Sequence, residues 1–195
     1  MLRSFDQLAA GRNHIGKISR ETDRVEVTYW HEIVEDDTGT ETMATYADLV
    51  KQHLPAEEMD FAGGVQEMEI SSAEQALGVR FPSKFRSFLG ELGCGGLESE
   101  EFIGLGGPQH LDVVQSTNWL RERPGGFPTK LVPVHADGFG NYDCLDVGCW
   151  TGDDCPVVEW VHDAPYAERR VLASDYERWF ESMLQLIVEL NQEEG

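Results

Sequence analysis

At 195 residues the chain is long enough for one sizeable core and cramped for two. It carries 36 acidic against 15 basic residues, a net charge of −21, with 41% hydrophobic residues. This balance argues against wholesale disorder, repels nucleic acid and anionic membrane, and suits either a basic partner or simple solubility.

The charge is uneven along the chain. Residues 1–24 hold five Lys/Arg and three acids, residues 25–79 thirteen acids against Lys51 alone, and residues 131–168 eight acids with no Lys or Arg. The opening "MLRSFDQLAAGRNHIGKISR" lacks a continuous apolar h-region, so no secretory signal is expected. No apolar run approaches the ~20 residues of a membrane helix. The expected compartment is the cytoplasm.

In chain order, "VEVTYW" alternates as a strand does, and Gly39 sits at the tip of a polar turn. Residues 25–34 and 41–45 are therefore expected to pair as a hairpin. Tyr46, Leu49, Val50 and Leu54 recur at helical spacing up to Pro55, and "AEEMDFAGGVQE" reads as a linker. Ser71 and Glu74 have the spacing of a capping box, and Gly78 is placed to end that helix. Pro82 suits the first turn of the next helix, whose stripe is Phe85, Phe88, Leu89 and Leu92.

"LVPVH", "YDCLDV" and "PVVEWVH" read as three short strands. Ser174 and Glu177 repeat the capping spacing before a closing helix, with Tyr176, Trp179, Phe180, Met183, Ile187 and Leu190 as its stripe. Helices, then strands, then a helix imply an α+β fold with a mainly antiparallel sheet flanked by helices.

The richest stretch for chemistry is "HADGFGNYDCLDV", residues 135–147. Its glycines at 138 and 140 and its Asp137 and Asn141 suit a hairpin turn. Alternation puts Tyr142, Cys144 and Asp146 on one strand face and Asp143, Leu145 and Val147 on the other. The aspartates thus fail to converge, and a calcium-loop pattern is absent. The glycine-rich "GGVQEM" and "GLGGPQH" lack phosphate-loop signatures. Of Cys94, Cys144, Cys149 and Cys155, the last three are spaced too widely for an ordinary zinc site. No catalytic residue, metal or cofactor is expected. A metal-dependent hydrolase built on the aspartates and histidines is the weakest of the readings.

"ISSAEQALGVRFPSKFRSFLGELGCGGLESEEFIGLG" is similar to the opening of the SUKH superfamily. The similarity lies in Glu74, Leu77-Gly78, Phe81-Pro82, Phe88-Leu89, the glycines from 93 to 96, and Ile103-Gly104-Leu105. "LVPVHADGFGNYDCLDV", "CPVVEWVHD" and "ASDYERWFESML" resemble its second half. The resemblance spans about residues 63 to 187 and leaves "GCWTGDDC" unmatched. It implies a single α+β domain, placed at residues 63–190; residues 1–62, which the resemblance does not cover, are expected to form an N-terminal extension whose hairpin and helix pack on it. The resemblance also implies a protein without catalytic machinery. Many bacterial members resemble immunity proteins that neutralise a toxin, and fungal members resemble a regulator of cell-wall synthesis.

The leading expectation is therefore an immunity protein whose acidic surface covers a basic toxin, for instance a nuclease; the alternative is an intracellular regulator or scaffold. Candidate partner-binding residues are Glu98, Glu100, Glu101, Asp143, Trp150, Asp153 and Asp154.

Overall fold

Helix α3 (Ser83–Glu91) gathers the core. Its Phe85, Phe88 and Leu89 fall on one stripe and are fully buried. The Phe88 ring lies 5.6 Å from Tyr46, 5.1 Å from Tyr176 and 5.5 Å from Phe180, centroid to centroid. Those partners come from α1 (Tyr46–His53) and α5 (Tyr176–Glu193), so three helices meet at one ring.

The computed structural model describes residues 19–20, 25–26, 45–54, 59–162 and 165–193. The chain divides into two units, Met1–Ala44 and Thr45–Gly195. In the first, β1 (Ser19–Arg20) pairs antiparallel with β2 (Val25–Glu26). The expected pairing of 25–34 with 41–45 otherwise lies outside the described residues.

The second unit holds a seven-stranded antiparallel sheet. Its strands are β3 (Met59–Phe61), β4 (Gly95–Leu97), β5 (Glu100–Phe102), β6 (Leu131–Ala136), β7 (Tyr142–Asp146), β8 (Val157–Trp160) and β9 (Arg170–Ala173). They stand side by side in that order. The fold is α+β.

Alternation along the strands feeds two cores. Val132, Leu145 and Val157 join the large core with α1, α3 and α5. Leu131, Cys144, Val158 and Trp160 face the other way, and join Phe127 and Leu120 of α4 (Val113–Glu122). Cys144 is thus a buried strand thiol, and burial pushes its pKa well up. Burial likewise pushes the Cys155 thiol up to about 12.

Several local expectations are corrected. Met59–Phe61 is an edge strand on β4 and not a linker. Helix α2 (Glu67–Leu77) starts before Ser71, with Glu69 accepting from the Gln66 amide at 3.1 Å. Ser71 instead lies mid-helix and donates to Glu67. Glu74 reaches forward, accepting from the Phe81 amide at 2.7 Å and from Arg86. Before α5 the cap is Asp175, which accepts from the Arg178 amide at 3.1 Å, while Ser174 merely donates to Asp175. Leu184 takes the buried place given to Leu190, which is exposed. Gly78 ends α2 at φ 68 as its left-handed cap.

Candidate partner-binding surface

The 135–147 stretch is a hairpin. β6 and β7 pair, and Asp137 ties the turn by accepting from the Phe139 amide at 2.7 Å and the Asn141 amide at 3.0 Å. This leaves Phe139 at the tip, 87% exposed.

A register shift between Pro133 and His135 bends β6. Such a bulge re-aims a side chain, and here it sets His135 opposite Asp143 on the face covered by α5. His135 is buried and lies 2.7 Å from Glu100 and 3.6 Å from Asp143. Asp143 also accepts from the Trp179 indole N–H at 3.0 Å. Burial opposes charging His135, but Asp143 and Glu100 prevail and raise its pKa. A raised folded pKa adds stability that is complete below the unfolded value of ~6.5 and fades as pH climbs through the folded value. The urea midpoint of the parent should therefore exceed that of His135→Gln most at about pH 6 and least at about pH 9. A constant gap across that range would mean that the charge of His135 contributes nothing.

The seven candidate residues do not form one patch. Glu100 and Asp143 hold His135 on the α5 face, while Glu101 points to the opposite face beside Ile103. Glu98 is exposed in the β4–β5 turn at φ 54. Trp150, Asp153 and Asp154 lie around the start of α3. Asp154 accepts from the Ser83 hydroxyl and the Lys84 amide, both at 2.9 Å, so it caps α3. It is therefore not an expendable loop charge, and reversing it to Lys would destabilise the helix start. Asp153 pairs with Arg80 at 3.1 Å. Trp150 is half-buried against the core, and its indole N–H donates to the Val147 carbonyl at 2.8 Å.

Two adjoining grooves share Glu101, His110 and Leu111. The larger, about 640 Å³, is walled by Trp119 of α4 and by Ala136 and Tyr142 of the hairpin. The smaller, about 340 Å³, is rimmed by Asp60, Glu98 and Glu101. Trp119 is 54% exposed, with Arg123 stacked over its ring at 4.4 Å. Trp119 is the exposed aromatic of the larger groove, and Tyr142 is half-buried beside it.

The sequence reading did not assign α4, so it missed Trp119. The signal was present: Asp112 caps the helix by accepting from the Gln115 amide at 2.9 Å, and Val113, Thr117 and Leu120 form its buried stripe. Among the described residues no three His, Cys, Asp or Glu side chains are placed to hold a metal ion, and no helix is long and apolar enough to cross a membrane.

Residues 43–185 match the family model described as SMI1-KNR4 cell-wall. The chain belongs to this family, within the SUKH superfamily. The matched span takes in α1 and β3 as well as the elements that carried the resemblance in sequence. The chain is also similar to the crystal structure of a protein from Pseudomonas syringae pv. tomato, at 20% identity and a TM-score of 0.46, over 63% of this chain and 88% of that one.

Proposed function

We propose that this SUKH domain is a non-enzymatic binding protein, an immunity protein that neutralises a basic toxin in the cytoplasm. The observation that carries this reading is the joined pair of grooves, where Asp60, Glu98 and Glu101 adjoin Trp119 and Tyr142. A nuclease keeps a positive cleft for phosphates, and an acidic face complements it, speeding encounter. The exposed Trp119 then supplies the desolvated anchor that slows release. Glu100, Asp143 and Asp154 are committed to internal partners, so the docking face is drawn around Glu98 and Glu101.

The test is capture of partners on the immobilised chain, identification by mass spectrometry, and surface plasmon resonance against the recovered protein. Glu98→Lys with Glu101→Lys should slow association. The effect should shrink as salt rises, because the Debye length falls from ~10 Å at 0.1 M to ~3 Å at 1 M. Trp119→Ala should speed dissociation, costing about 2 kcal/mol. Unchanged rates in both variants would remove this face from the interface. Capture of an endogenous enzyme of cell-envelope synthesis in place of a toxin would replace the immunity reading with a regulatory one.

A further inference from the structure

A third groove, of about 660 Å³, lies apart from the docking face, between the end of α2, α4 and the 147–152 loop. Its apolar wall is Leu77, Val79, Val147 and the indole of Trp150, and three cations, Arg80, Arg121 and Lys130, converge on it. This is unusual in a chain with 15 basic residues against 36 acids. Of the other described cations, Lys84, Arg86, Arg169, Arg170 and Arg178 each have a carboxylate partner, while among the described residues the exposed Lys51 and Arg123 have none within ion-pair distance. Among the described residues none lies within ion-pair distance of Arg121 or Lys130.

Arg121 is held in place. It donates to the Leu77 carbonyl at 3.1 Å and the Thr129 carbonyl at 3.2 Å, while its Nε is buried without a partner. Burial without a counter-charge lowers its pKa from the ordinary arginine value. Arg80 lies over the Trp150 ring at 4.4 Å. Its pair with Asp153 is exposed on both sides, at 60% and 82% of the side chains, and such a pair is readily exchanged for another anion. Gly78 and Gly152 line the groove at left-handed φ, and a Cβ on either would meet nothing within 4 Å, so the space beside them is open. The volume lies within the range of ~300–1,000 Å³ of small-molecule sites, and an apolar lining with a few convergent polar groups is their usual make-up.

We infer that this groove binds a small amphiphilic carboxylate, with its apolar body on Trp150 and Val79 and its carboxylate between Arg121 and Lys130. The carboxylate supplies the counter-charge that Arg121 and Lys130 lack, and the wall removes the ligand's apolar surface from water. Neither half alone accounts for the groove.

The probe is phenylacetate, titrated into the full chain and followed by amide chemical shifts in ¹H–¹⁵N spectra. Benzyl alcohol removes the charge and acetate removes the apolar body. The expected result is saturable binding of phenylacetate, with shifts concentrated at Leu77–Arg80, Arg121, Lys130 and Trp150. Lys130→Gln should weaken it about tenfold, and Arg80→Gln by less. Arg121→Gln should weaken it further, and its unchanged circular dichroism would separate lost binding from lost structure. Benzyl alcohol or acetate binding as well as phenylacetate would overturn the amphiphile assignment. Equal affinity of the parent and Lys130→Gln, or shifts that do not saturate, would overturn the site. The proposed docking face contains none of these residues, so failure here leaves the binding-protein reading standing, and the reverse.

Discussion

Phe88→Ala is expected to lower the unfolding free energy by about 3–5 kcal/mol. Phe88 has no exposed surface, and beyond its three helical partners it lies 6.1 Å from Phe61 of β3 and 6.5 Å from Phe102 of β5. Its neighbours therefore come from four other elements. Those elements cannot all move inward together, so the cavity persists and the loss exceeds the transfer free energy of the ring alone. Against a total of about 5–15 kcal/mol for an ordinary domain, one ring carries a large share. Urea unfolding checks this: the midpoint should fall with the slope unchanged. A midpoint equal to the parent's would mean that the α3 stripe does not pack as described.

Asp146→Ala should be the next most damaging change, at about 3 kcal/mol. The Asp146 carboxylate is fully buried at the end of β7. It accepts from Arg169 Nε and from the Tyr166 hydroxyl, each at 2.6 Å, and from the Gly148 amide at 3.1 Å. Burial and the bond to Asp146 push the Tyr166 pKa up, so its hydroxyl stays a donor throughout the working pH range. Removing the carboxylate leaves three donors without an acceptor, a loss that water reaching the partly exposed Tyr166, Arg169 and Gly148 offsets only in part. Asp146→Asn keeps the volume and one acceptor oxygen, so it should recover part of the loss. Coincident thermal melts of Asp146→Ala and the parent would show that the network is energetically idle.

Much of the fold was legible because apolar spacing is a direct consequence of geometry. The α3 stripe, the Gly78 cap, the β6–β7 hairpin and the division of Asp143 from Asp146 across β7 all follow from helical or strand periodicity. What escaped has a common cause. Glu74, Asp154 and Asp146 bind partners 7, 70 and 23 residues away, and local spacing says nothing about such partners. Strands β3 and β9 are three and four residues long, too short for alternation to declare itself. The candidate site suffered most. A run of acids in sequence reads as one patch, but a strand sends neighbours to opposite faces, so Glu100 and Glu101 ended on different sides of the sheet.

The sheet order has a consequence for how the chain can assemble. Every strand from β3 to β9 pairs with its neighbour in sequence, so the sheet can zip from any hairpin without threading one segment past another. Pairing forms early where the loop to close is short, as between β4 and β5 and from β6 through β9, whereas β3–β4 and β5–β6 are joined across intervening helices. The aromatic cluster is different. Phe88 needs Tyr176 and Phe180, which lie about ninety residues later on the last described helix. During synthesis a largely paired sheet would therefore wait, with one oily face uncovered, until α5 leaves the ribosome. That interval ends only with the docking of α5.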